Sequence, residues 1–309
     1  MSVVRGEVIS DPLKIFIKQE PHKRKKILDH RLRLIMSVSL IDALVDRILF
    51  MKLMFKVVNK YHETGIMIGW SPVQGGYRLL ESKFQGKTIS MDRKSWDWSV
   101  PHWLLLAVRD IIKSLASDAP EWWFTAVNSR FSALFEKPRF IFGDGATAVQ
   151  EKPGIMKSGC YLTIFINSVA QLVLHEMAIA ALDIERTLME PVLVVGDDTL
   201  QAWFERYPEV VSYWESLGFR IEVEEHLGSP EFAGFKYNNG YYPAYRQKHY
   251  FQLAHLTTNR ELAQQTLQNY QVLYWFDKEM LGIIRDIARM LKMPEAYVPD
   301  FDLSATAQG

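Results

Sequence analysis

Residues 13–19 (Leu-Lys-Ile-Phe-Ile-Lys-Gln) alternate apolar and polar for much of their length, the period of a half-buried strand, and Glu20-Pro21 ends them. A basic loop follows, and then the period lengthens. Ser39-Leu-Ile-Asp42 is a capping-box-like start, so the pattern predicts a helix from there to about residue 61, with Gly65 beyond its end. Residues 65–76 are turn-rich and aromatic, a loop by composition. Residues 87–92 predict a strand that delivers Asp92 at its carboxyl end, and Pro101 suits the first turn of a helix reaching about residue 115. Residues 121–135 predict another helix, and 140–149 a hairpin turning at Asp144-Gly145.

The flexible stretch Pro153-Gly154 to Ser158-Gly159 leads into a long helix over about 161–184. With histidine neutral, no charge falls between Cys160 and His175, which is unusual for a helix with a solvent face. Its polar members Thr163, Asn167, Gln171 and His175 lie four apart in one line. An ordinary exposed face carries Lys and Glu, so a buried polar line facing a neutral hydrogen-bonding ligand is expected. Two apolar runs, 192–195 and 199–202, then flank Gly196-Asp197-Asp198 as the tip of a hairpin. A helix over 208–217 stopped by Gly218, a strand over 219–223 and a hairpin over 232–245 turning at Asn238-Asn239-Gly240 complete the mixed region. From Thr258, which heads a second capping-box pattern with Glu261, the chain reads as helical to about 293, with a polar, disordered tail. No internal repeat is present.

A chain of 309 residues with 48% hydrophobic and 13% aromatic content forms one composite domain or two closely packed ones, and is not a disordered protein. Its 36 basic and 36 acidic residues give no global attraction to nucleic acid. The distribution is uneven: between Lys14 and Arg33 eight basic residues stand against Glu20 and Asp29, net +6. That suggests a polyanion-facing segment, although such runs are also solvated faces. The single cysteine, Cys160, excludes a disulfide framework and a cysteine-rich zinc site. The apolar stretch 41–58 is broken by charges, so no integral membrane segment is expected there.

Adjacent carboxylates at a tight turn repel unless a cation lies beside them, and a hard divalent ion suits them. Aspartates also occur in turns for purely local reasons. What decides is the ordered set of motifs. Lys18-Gln-Glu-Pro through Arg33, Asp92-Arg-Lys-Ser-Trp-Asp97, Ser158-Gly-Cys-Tyr-Leu-Thr163 with Asn167-Ser168, and Gly196-Asp197-Asp198 resemble motifs F, A, B and C of positive-strand RNA virus RNA-dependent RNA polymerases. The stretch around Gly218 and Glu231-Phe-Ala-Gly-Phe-Lys236 are similar to motifs D and E. The wording of motifs A and B is most like the sobemovirus and polerovirus group, and the resemblance covers about residues 14–240.

The resemblance implies an α+β right-hand polymerase: a palm of antiparallel sheet backed by helices, partial fingers and a small helical thumb. It divides the chain into a fingers segment (1–86), palm (87–120), fingers insertion (121–152), palm (153–245) and thumb (246–309). It further implies RNA-directed RNA polymerase activity, with two Mg2+ ions, replaceable by Mn2+, held by Asp92, Asp197 and Asp198. Asp97, Ser158, Thr163 and Asn167 would sense the ribose. Lys18, Lys23, Lys26 and Arg33 would bind triphosphate, and Lys157, Gly159 and Lys236 would contact template or nascent RNA. Motif D lacks its usual lysine, leaving Arg220 or Lys236 as candidate general acids. Partners would be RNA, ribonucleoside triphosphates and other parts of a replicase polyprotein, in the host cytoplasm or at the periphery of membrane-associated replication complexes. Two other readings stay open: a reverse transcriptase, against which Asn167 argues, and a non-catalytic RNA-binding fragment.

Overall fold

The computed structural model describes residues 5–7, 10–22 and 24–309. The first segment runs β1 (Leu13–Ile17), α1 (Arg24–Leu28), β2 (Leu34–Ser37), α2 (Leu40–Asn59), α3 (Tyr61–Thr64) and α4 (Tyr77–Lys83). Ser39 caps α2 as its sequence predicts, its hydroxyl accepting from the Asp42 amide at 3.1 Å. The basic segment expected as a loop is more ordered than that. β2 pairs antiparallel with β1, Ile17 opposite Leu34, so α1 sits at the head of a two-stranded arm. The open edge of β1 takes a partner that composition alone did not announce.

The middle of the chain runs β3 (Lys87–Arg93), α5 (Trp96–Ser99), α6 (His102–Ser114), α7 (Glu121–Phe135), β4 (Arg139–Ile141), β5 (Thr147–Val149) and α8 (Thr163–Leu182). It continues through β6 (Val192–Val195), β7 (Asp198–Ala202), α9 (Tyr207–Ser216) and β8 (Ile221–Leu227). The central sheet has the order β6-β7-β3-β8 and is antiparallel throughout. Behind it, Phe165, Ile166, Ala170 and Leu174 of α8 are buried in one core with Leu104, Leu105 and Val108 of α6 and Val210 and Trp214 of α9. Among the described residues α8 is the one helix long and apolar enough to cross a membrane, but more than half of it is buried in this core. A second sheet, β2-β1-β4-β5, joins the amino-terminal arm to the hairpin that turns at Asp144-Gly145.

Last come β9 (Glu231–Phe232), β10 (Phe235–Tyr237), β11 (Tyr241–Pro243) and the helices α10 (Arg246–Ala254), α11 (Arg260–Leu273), α12 (Lys278–Met290) and α13 (Asp300–Gln308). Three expectations fail here. The cap of α11 is Asn259, not Thr258, its side chain accepting from the Leu262 amide at 3.1 Å. The strand placed at 219–223 is β8, which runs on to Leu227 because every one of its residues pairs with β3. The polar tail is α13, not a disordered end. Ala307 is buried among Tyr77, Leu80 and Tyr241, and the Gln74 and Gly75 amides donate to the Thr306 and Ala307 carbonyls. A few small apolar positions suffice when the surface that receives them is already aromatic.

One buried ion cluster fixes α2 to α7. Arg130 donates to Asp46 through Nε at 2.5 Å and Nη2 at 3.0 Å, and lies 3.3 Å from Asp42. Burial still pushes the Asp46 carboxyl up, against the pull of Arg130. Replacing Arg130 with Met leaves two buried carboxylates uncompensated, so Arg130→Met should cost about 3–5 kcal/mol. Urea denaturation followed by tryptophan fluorescence checks this, and breaking the exposed Arg206–Glu209 pair with Arg206→Met should move the midpoint far less.

Candidate active site

The hairpin β6–β7 turns on two residues. Val195 pairs with Asp198, which leaves Gly196 and Asp197 as the tip. Gly196 has φ +64° and Asp197 has no positive φ, the pattern of a II′ turn, where glycine takes the first central place. The tip is held from behind: Ser168 of α8 accepts from the Gly196 amide at 2.8 Å while donating to the Ile164 carbonyl. Ser168 is fully buried. Across the sheet, Met91 pairs with Thr199, so Asp92, one residue on, lies level with the start of β7. Thr199 ties the strands further by donating to the Met91 carbonyl at 3.0 Å.

Asp92, Asp97 and Asp197 open onto a cleft of about 790 Å³. Its other wall comes from the amino-terminal arm and includes His22, Lys26, Arg31 and Arg33, with Trp98 and Tyr245 at its sides. Carboxylates thus face cations across one open space. Burial together with the nearby Asp197 charge raises the Asp97 carboxyl, and the neighbouring Asn167 side chain opposes that rise. Asn167 itself is buried behind Asp97 and does not line the cleft, and its amide oxygen has no partner among the described residues.

Several assignments need correction. Lys157 does not reach RNA: it is fully buried, and its ammonium donates to Gln150 Oε1 at 2.9 Å and to the carbonyls of Gly154 and Ile155 at 3.1 and 2.7 Å. Burial draws it down to about 7. It is the pin of the loop that precedes α8. Gly159 is likewise a packing glycine, because a Cβ there would meet the Met36 carbonyl oxygen at 2.6 Å. Ser158 does not join the ribose pair; its hydroxyl accepts from the Met36 amide at 3.3 Å and so tethers the loop to β2. Thr163 donates back to the Lys157 and Cys160 carbonyls at 2.7 and 2.9 Å. Lys236 pairs with Glu231 at 3.5 Å, and neither it nor Arg220 lines the cleft. Lys18 pairs with Glu20 at 3.1 Å outside the cleft lining, whereas Lys26 and Arg33 line it; Lys23 lies outside the described residues.

The polar line of α8 is not an open surface. Asn167, Gln171 and His175 are all buried, and burial takes His175 down to about 4. Nearby is a residue the sequence reading passed over, Arg93. It is buried with its guanidinium 4.6 Å from the Trp214 ring centroid and 5.8 Å from that of Trp96. Burial lowers it to about 9, while Asp92 and Asp197 pull it back up. Strand alternation carried the signal: if Asp92 faces the cleft, Arg93 must face the core.

The sequence matches the family described as viral RNA-dependent RNA polymerase over residues 11–222. It is 34% identical over 217 residues to the replicase polyprotein P2AB of cocksfoot mottle virus, covering 68% of this chain and 22% of that polyprotein. It is 28% identical over 235 residues to the RNA-directed RNA polymerase of mushroom bacilliform virus, covering 74% of this chain and 55% of that one. The chain spans about a fifth of the length of the polyproteins it matches. Among solved structures, the Sicinivirus 3Dpol RNA-dependent RNA polymerase superposes with a TM-score of 0.75 at 15% identity, over 98% of this chain and 69% of that one. The shared architecture is a right-hand fold with an antiparallel palm.

The site carries more negative charge than its own side chains offset. Partial enclosure and the charges of Asp197, Asp92 and Glu231 push Asp198 up to about 6, and burial with Asp197 and Glu222 raises Asp92. These are hard oxygen donors, which fit a divalent cation such as Mg2+. Among the described residues no three such groups are drawn around one point; Asp92 and Asp197 at the cleft are the residues that would hold such an ion, with Asp198 alongside. A carboxyl raised in the fold adds stability below its unfolded pKa of 3.8, and that contribution is lost as pH rises through about 6. In EDTA, melting temperature should therefore carry a falling component between those values that Asp198→Asn removes. Mg2+ should raise the melting temperature more at pH 7.5 than at pH 5; equal shifts would break the link between these carboxyls and the ion.

Proposed function

Because this chain belongs to the viral RNA-dependent RNA polymerase family, we propose that it extends an RNA strand on an RNA template from ribonucleoside triphosphates. The observation that carries this is the cleft itself, with Asp92, Asp97 and Asp197 on the palm wall facing Lys26, Arg31 and Arg33 on the arm. A triphosphate is polyanionic at one end and a hydroxylated ring at the other, and the two walls match those ends. Phosphoryl transfer depends mainly on positioning and charge neutralisation, which is what fixed cations supply. Arg33 rests on Glu20 at 3.3 Å, so an incoming triphosphate exchanges one anionic partner for another at that side chain.

Asp92 and Asp197, with Asp198 beside them, are the residues that would hold two divalent ions, and such ions would supply the charge that activates an attacking 3′-hydroxyl and offsets a departing pyrophosphate. Asp97 lines the cleft and offers its carboxylate lone pairs to a ribose 2′-hydroxyl, and the buried Asn167 amide, whose oxygen has no partner among the described residues, lies close behind it. A deoxynucleotide leaves that pair short of a partner, so ribonucleotides are favoured. This pair also supports RNA over DNA synthesis. The likeness to replicase polyproteins supports other replicase segments as partners.

Asp197→Asn should lower primer extension on a homopolymeric RNA template at least about a hundredfold while leaving RNA binding within about twofold. Binding without extension by the unaltered chain, in Mg2+ or Mn2+, would instead favour a non-catalytic RNA-binding fragment. Asn167→Ala should reduce the preference for ribo- over deoxynucleotides by about tenfold or more, read as the ratio of kcat/KM values for the two substrates. An unchanged ratio would remove Asn167 from ribose selection.

A further inference from the structure

We propose that the outer face of α2 is the docking surface for an amphipathic helix with acidic flanks, supplied by another segment of the replicase. α2 buries Asp42, Asp46, Leu49, Phe50 and Met54. On the other side Ile41, Leu44, Ile48, Met51, Phe55 and Val58 are all exposed, Ile48 by 63% and Phe55 by 72%. A helix apolar on both faces is ordinarily enclosed. This one is enclosed on one face only.

The six residues are spaced alternately three and four apart, the seam that two packed helices share. At 1.5 Å per residue the seam runs about 26 Å, enough for nearly five helical turns of contact. Isolated exposed apolar side chains need no explanation; a continuous stripe does. None of the six lines the cleft.

Charge selects the occupant. The exposed charged residues of α2 are Arg47, Lys52 and Lys56, all basic, because its two acids turn inward to Arg130. Arg47 borders the seam on one side, steadied over the Tyr161 ring at 5.6 Å, and Lys52 borders it on the other. A second copy of α2 would set like charges against these flanks, whereas Glu or Asp at the flanking positions of a partner would complement them. A bilayer would be met by a broad apolar face, and this seam is narrow. The source of the helix rests on the polymerase reading, since the cocksfoot mottle virus relative is itself a replicase polyprotein.

The probe is a labelled synthetic peptide of three heptads with Leu at the seam and Glu at the flanks, titrated against the full chain by fluorescence anisotropy. A twin with Lys at the flanks is the control. The acidic peptide should bind at least about tenfold tighter than the basic one, and more weakly in high salt. Ile48→Glu and Phe55→Glu should each abolish that binding; both sites are exposed, so the melting temperature should hold, and Lys52→Glu with Lys56→Glu gives an independent test from the rim. Equal binding of both peptides, no binding, or binding that survives Ile48→Glu overturns the proposal. So does concentration-dependent dimerisation of the chain in sedimentation or co-flotation with phosphatidylserine vesicles, either of which loses to Phe55→Glu. Primer extension in the same samples separates the two readings: loss of docking with intact extension rejects only this proposal, and absent extension with intact docking rejects only the assigned source.

Discussion

Like charges held together at the end of the palm sheet are the constraint around which this chain is built. Asp92 and Asp197 open onto one cleft and Asp198 stands beside them, and the unfolded chain has every reason to keep three carboxylates apart. Their convergence is imposed by backbone register, not by attraction. The continuous pairing of β3 with β7 and β8 sets the height of Asp92, and Ser168 pins the hairpin tip through the Gly196 amide. Repulsion of this kind is a cost in the fold that adds to the burial already raising Asp198, and a cation placed beside the carboxylates would relieve it.

Two sources of positive charge surround the carboxylates, and they differ in permanence. Arg93 is fixed: buried between tryptophan faces, it lends a constant field from beneath the sheet. The cations of the arm are adjustable, for Arg33 and Lys18 both share Glu20 at the surface, where such pairs are weak and exchangeable. The arm itself is tethered through Ser158 and Gly159, which bring the loop before α8 against β2. Residues that resembled RNA contacts turn out to set the separation of the two walls. Lys157 acts one step further back, holding that loop closed through Gln150 and two carbonyls.

What could be read in advance followed from local rules. The Ser39 cap of α2, the helical run of α7 and the Gly-Asp-Asp hairpin each depend on a few neighbouring residues, and they stand where the pattern put them. Apart from the one-residue shift of the α11 cap, the failures depend on distant partners. β2 exists because β1 offers an edge, α13 because aromatic residues receive Ala307, and Lys157 is buried because Gln150 folds over it. A lysine in a motif gives no local sign of which way it points. That Asp97 and Asn167 would be neighbours was legible from residue type and spacing; the direction of each side chain was not.

The polar line of α8 shows why one helix can be so apolar and still serve a site. Successive members four residues apart drift slowly around the axis and also rise about 6 Å each, so Thr163 meets the loop before α8, Asn167 lies behind Asp97, and Gln171 and His175 pass on into the core. Further along, the α9 residue Trp214 donates to the Leu174 carbonyl at 2.8 Å and carries the Arg93 guanidinium over its ring. A lysine there would add a second buried positive charge near the Arg93 guanidinium, whereas glutamine and a histidine held neutral by burial add none. The missing charges along α8 thus follow from its burial along the whole polar line, and near Arg93 from the cost of a second buried cation.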